Sequence, residues 1–114
     1  MPKPDMAQKN KPSVVIHPKA RERMLDIWSY THDTWGEKQA DKYIDDLNYY
    51  MHSLATHHYL WRKVPHENFK DVYYSAYESH FIFFHIFEDK TVGILSILHR
   101  SADIPARLLD DIDT

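Results

Sequence analysis

The chain contains no cysteine and only two glycines, Gly36 and Gly93. The first absence excludes a disulfide framework and thiolate chemistry, and it agrees with a reducing compartment. The second excludes a glycine-rich phosphate loop, which needs several residues without a Cβ so that backbone N–H groups can close on an anion. No apolar run approaches the ~20 residues of a membrane span, and no secretory leader is visible. No membrane partner is expected, and the expected location is the cytoplasm. A basic surplus is also missing. Lys and Arg total 14 against 17 Asp and Glu, a net charge of -3. Phosphate contacts dominate the affinity of nucleic-acid binders, so direct sequence-specific nucleic-acid binding is not expected. Nine His add positive charge only in mildly acidic surroundings.

What remains is an ordinary globular composition, 43% hydrophobic and 27% charged over 114 residues. That length suits one domain burying roughly two-thirds of its unfolded surface. Residues 1–12 carry three Pro, three Lys and no apolar cluster, and read as a disordered tail. Residues 13–114 read as the single domain. Ser13 to His17 is a short β-branched strand. Pro18 suits the first position of a helix, where its missing N–H is not needed.

Apolar residues then recur at helical spacing: Ala20, Met24, Ile27, Trp28, Thr31 and Trp35. Gly36 interrupts them. A second stripe follows from Glu37 to about Ala55, with Ala40, Tyr43, Ile44, Leu47, Tyr50, Met51 and Leu54. Two amphipathic helices joined at one glycine predict an αα-hairpin. Thr56 to Asn68 is of mixed polarity with Pro65 and reads as a loop. Three strands follow: Phe69–Ala76, Ser79–Phe87 and Thr91–Arg100. The short connections predict antiparallel hairpins. The middle strand is apolar on both faces, so it is expected to be central. His80, Ile82, Phe84 and Ile86 share one face, and His99 is expected on the face of Leu95 and Ile97. A short helix is expected from after Asp103 to about Asp111. The order β-α-α-β-β-β(-α) predicts an α+β fold, a helical hairpin packed on one face of a small, mainly antiparallel sheet.

Chemistry-bearing residues are scattered. His52, His57 and His58 are spaced by five and one, which does not converge on one helical face. No metal site and no cofactor is expected. Arg62 and Lys63 sit beside Trp61, Lys70 opens a strand, and His99 and Arg100 end one. Together they are candidates to hold a phosphate or an acidic segment.

The chain end reads Ile94-Leu95-Ser96-Ile97-Leu98-His99-Arg100, then Ser101-Ala102-Asp103-Ile104-Pro105-Ala106-Arg107-Leu108-Leu109. It resembles the carboxyl end of the RelE/ParE superfamily of type II toxins, whose ParE branch carries I-L-H-x-x-x-D-x-P-x-x-L. Three further stretches are similar to that branch. Ala20 to Thr31 resembles A-x-x-D-L-x-x-I-x-x-Y-T, Trp35 to Tyr43 resembles W-G-x-x-Q-A-x-x-Y, and Ser79 to Phe84 resembles S-H-x-I-F-Y. The four occur in order from about Val14 to Leu109. One departure stands out: where ParE-like chains carry G-Y-R, this chain has Asp71-Val72-Tyr73, so the customary Arg is Tyr73.

The resemblance implies a toxin that binds and inhibits DNA gyrase without being an enzyme, silenced by a cognate antitoxin. The expected target-binding residues are His99, Arg100, Asp103, Pro105, Arg107 and Leu108. The alternative is a ribosome-dependent mRNA interferase using Arg62, Lys63, Tyr73, Tyr74, His99 and Arg100. Such a site needs a base and cations pre-placed around the scissile phosphate. A diverged, non-toxic interaction module is the third reading.

Overall fold

The structure, a computed structural model, describes residues 13–113; the expected tail at 1–12 lies outside the described residues. Strand β1 (Val14–Ile16) leads through His17 into helix α1 (Pro18–Trp35), with Pro at its start as its fixed φ favours. Gly36 has φ 97° and ψ 168°, a conformation essentially reserved for glycine. Its N–H donates to the His32 carbonyl (2.8 Å) and its own carbonyl accepts from Ala40 (3.0 Å). One residue thereby closes α1 and opens α2 (Glu37–Ser53). The expected helical hairpin is present.

Beyond α2 come a 3₁₀ turn (His58–Leu60), β2 (Arg62–Lys63), a second 3₁₀ turn (Glu67–Phe69), β3 (Tyr73–Tyr77), β4 (His80–Ile86), β5 (Val92–His99) and α3 (Ile104–Asp113). The sheet order is β1-β5-β4-β3-β2, which puts β4 at the centre as its two apolar faces required. β1 runs parallel to β5, and every other pairing is antiparallel.

Two details differ from expectation. The loop at 56–68 contains the edge strand β2, whose two exposed, charged residues carry no periodic signal. The strand expected from Phe69 begins only at Tyr73. Phe69 and Val72 are apolar for another reason: they are buried plugs under the sheet.

The core has two layers. The hairpin packs Ala20, Ile27, Leu47, Met51, Leu54 and Ala55 against Ile82, Phe84, Val92, Ile94 and Ile97. The opposite face holds Phe69, Val72, Phe83, Leu98 and Leu108, the last brought by α3. The closing helix therefore seals the face that the hairpin leaves open. Trp35, placed on the core stripe of α1 by spacing alone, is 72% exposed.

A β-bulge sits in β5. Phe83 pairs with Ser96 and Phe84 with Ile94, so Leu95 is the extra residue. Leu95 turns to the second core layer while Ile97 stays in the first. His99 therefore shares a face with Ile97 and not with Leu95, because the bulge breaks the period of two.

Candidate functional site

The bulge shapes the end of the sheet. On the turn side of the bulge, Ile86 pairs with Val92; beyond it, His80 pairs with His99. Without the extra residue His80 would face Leu98. The two imidazoles meet edge to face with centroids 5.3 Å apart. Tyr43 of α2 reaches over His80, its hydroxyl 3.2 Å from Nδ1.

Burial, then the proximity of Tyr77 and Glu78, pushes the Tyr43 phenol up to about 12. Burial first, and His99 second, lowers the His80 pKa. A protonated phenol donating to a neutral imidazole is the assignment consistent with both shifts. His99 Nδ1 accepts from the backbone N–H of Ser101 (3.1 Å), with the Ser101 hydroxyl 2.8 Å away. The neutral His99 ring therefore carries its proton on Nε2.

These groups lie along a groove of about 710 Å³ between α1 and the ends of β4 and β5. Tyr30 and Trp35 rim it, at 70% and 72% exposed, and Arg107 of α3 reaches its border. The chemistry is mixed: an apolar floor at Ile27 and Ile97, aromatic edges, two imidazoles, and charges of both signs. Such a surface fits a polypeptide segment, with apolar anchors for affinity and polar groups for register.

The sequence-predicted residues divide. His99, Asp103, Pro105 and Arg107 are exposed at this end of the molecule. Arg100 is exposed but turned to the other face, over the Phe81 ring (5.0 Å), with Nε donating to the Glu78 carbonyl (3.0 Å). That bond holds the turn where Glu78 takes the uncommon φ of 53°. Leu108 is fully buried, so it anchors α3 and offers no surface.

The interferase set is split between the two faces of the sheet: Tyr74 and Arg100 meet the same Phe81 ring on one, and Tyr73, with Lys63 over its ring, lies on the other. Arg62 and Lys63 lie on the edge strand opposite Tyr74 and Tyr73. Tyr73 packs on the hairpin side, stacked on Phe84 (5.9 Å), and Tyr74 packs on the other side against Phe81. Tyr73 pairs with Phe84, four residues along β4 from the His80–His99 pair, or about 13 Å at strand rise. The customary Arg position is thus filled by a ring that completes an aromatic cluster with Trp61 and Phe84. From the sequence His80 reads as a lone strand histidine and Tyr43 as a core tyrosine; the bulged register sets His99 opposite His80, and the packing of α2 on the sheet brings Tyr43 to His80.

The model of the ParE toxin of type II toxin-antitoxin systems matches residues 14–104. The chain belongs to the ParE toxin family. Toxin ParE1 of Caulobacter vibrioides is 31% identical over 91 residues, covering 79% of this chain and 91% of that toxin. Toxin ParE1 of Mycobacterium tuberculosis is 24% identical over 95 residues, 82% of this chain and 95% of that one. Among solved structures, the chromosomal ParDE system of P. aeruginosa superposes with a TM-score of 0.65 at 18% identity, covering 79% of this chain and 97% of that chain. The RelBE2 toxin-antitoxin complex of M. tuberculosis gives 0.58 at 14%, covering 79% and 99%. Both solved structures bear out the α+β RelE/ParE fold. The family match ends at Ile104, so most of α3, with Arg107, Leu108 and Asp111, lies beyond it.

Proposed function

We propose that this ParE-family toxin acts by binding and inhibiting DNA gyrase, and that a cognate antitoxin neutralises it. The work is done by surface complementarity. The observation that carries the reading is the dispersal of Arg62, Lys63, Tyr73, Tyr74, His99 and Arg100 over two faces and two ends of the sheet. A phosphodiester-cleaving centre needs such groups converged around one bond. A topoisomerase inhibitor needs a contact surface, and exposed His99, Asp103, Pro105 and Arg107 supply one beside the groove. The net charge of -3 disfavours docking on ribosomal RNA. No helix among the described residues is long and apolar enough to cross a membrane, in keeping with a cytoplasmic site of action.

The antitoxin reading rests on family membership and on the groove with its aromatic rim, a surface suited to a segment that folds on binding. Co-expression with the product of a small neighbouring reading frame should give a soluble complex; separate elution of the two would contradict it. The target is tested by adding purified chain to a supercoiling assay and to a translation extract. Loss of supercoiling with intact mRNA is expected. Codon-specific mRNA cleavage, lost on Arg100→Ala, would replace gyrase with the ribosome. Silence in both assays would identify a diverged, non-toxic module.

A further inference from the structure

At the other end of β4, on the face away from the hairpin, two histidines far apart in sequence meet. His17 follows β1, and its backbone N–H donates to the Ile94 carbonyl (3.0 Å). His85 on β4 pairs with Gly93 across the ladder. Both side chains extend over Gly93, and their Nε2 atoms are 3.1 Å apart. The Phe87 ring flanks them, with centroids 4.4 Å from His85 and 6.2 Å from His17. A Cβ at residue 93 would fall 2.5 Å from His85 Nε2 and 3.0 Å from His17 Nε2, so only glycine leaves room for the pair.

Two nitrogens so placed either share one proton or share an ion. Zinc–imidazole bonds of ~2.0–2.1 Å in a tetrahedral shell set two nitrogens about 3.3–3.4 Å apart. The observed separation differs by a few tenths of an ångström, within reach of a small ring rotation. Both rings are half-buried, so an ion and its waters can approach from solvent. We propose that His17 and His85 form a two-imidazole chelate for a divalent transition-metal ion such as zinc or copper. Among the described residues no cluster of three or more His, Cys, Asp and Glu forms, so water completes the shell and the ion exchanges freely. Copper binds more tightly than zinc at such a nitrogen site. A bound ion ties the β1–α1 junction to β4 across the intervening β5.

The test uses the full chain, stripped with chelator and titrated with zinc or copper salt alone. The melting temperature should rise by roughly 5–10 °C once the ion exceeds its Kd tenfold. His85→Gln and His17→Gln should each abolish the rise, and His57→Gln should keep it. An unmoved wild-type melting temperature, or a rise that survives in the His17→Gln/His85→Gln double variant, overturns the site. If a variant fails to fold, zinc titration of the wild-type chain by NMR decides. The His17 and His85 imidazole signals should then shift together and saturate ahead of those of His52, His57 and His58. Shifts confined to the latter three would refute the proposal.

Discussion

Arg23 on α1 and Asp111 on α3 form a two-pronged ion pair, Nε to Oδ2 at 2.9 Å and Nη2 to Oδ1 at 2.8 Å. The Ser96 hydroxyl, next to the bulge in β5, donates to the same carboxylate. The Asp111 side chain is 1% exposed. Burial raises its pKa, but the hydrogen bonds from Arg23 and Ser96 and the Arg23 charge outweigh burial and leave it below the usual 3.8. The pair joins the two core layers, because α1 belongs to the hairpin layer and Leu108 of α3 to the other.

Removing one partner therefore matters more than an exposed ion pair would. Arg23→Ala leaves a buried carboxylate with only Ser96, and should cost about 3 kcal/mol. The pH dependence follows from a carboxylate pKa depressed in the folded state. Its stabilisation is fully present above the unfolded value of 3.8 and is lost as pH falls through the lower folded value. Melting curves of the wild type and Asp111→Asn should differ near neutral pH and draw together as the pH falls below 3.8 through the lower folded value. A constant gap down to pH 2 would mean the ion pair contributes nothing.

Leu47 is fully buried between the hairpin and the sheet. Leu47→Ala should cost ~2–5 kcal/mol through lost burial and the cavity left behind. Leu25, on the same hairpin but 69% exposed, provides the control. Leu25→Ala should stay within ~0.5 kcal/mol of wild type. Equal denaturation midpoints for the two variants would contradict this core.

The two glycines are needed for different reasons. A Cβ on Gly36 meets nothing within 4 Å, so Gly36→Ala fails only through its φ of 97°. The expected cost is ~1–3 kcal/mol. Gly93→Ala instead collides with both imidazoles. His85→Ala removes the two closest contacts, so it should relieve most of the Gly93→Ala penalty and leave Gly36→Ala untouched, which a double-mutant denaturation series would reveal.

The surface proposed to meet the target is tested by small changes. Truncation after Ser101 looks like the natural test from the sequence, on the expectation that the sheet folds without the closing helix. The structure argues otherwise, since the truncation removes buried Leu108 and Asp111 and uncovers Phe83 and Leu98. Asp103→Ala and Arg107→Ala leave the core alone because both side chains are exposed. We expect them to weaken gyrase inhibition while the melting temperature stays within ~2 °C. Full inhibition by the Asp103→Ala/Arg107→Ala chain would exclude α3 as a contact.

Local patterns were legible in the sequence. Steps of three and four named both helices, and Leu47 and Met51 fell where they pack, because a helix repeats its buried face every turn. Gly36 and Pro18 marked boundaries by backbone chemistry that any context must respect. β4 announced its central place by being apolar on both faces. Four motifs in order pointed to the family and so to the fold. Relationships between distant segments were decided only in three dimensions. The Leu95 bulge has no periodic signature, yet it puts His99 opposite His80 and ends the period-two rule on β5. β2 was illegible because two charged edge residues bury nothing. Spacing rules for metal ligands examine near neighbours, whereas His17 and His85 are 68 residues apart and meet only because β5 lies between their strands. The sequence by itself determined which faces must be buried, since burial follows from the periodicity of each element. Which residues face one another across those elements was decided by register, and register is a property of the assembled sheet.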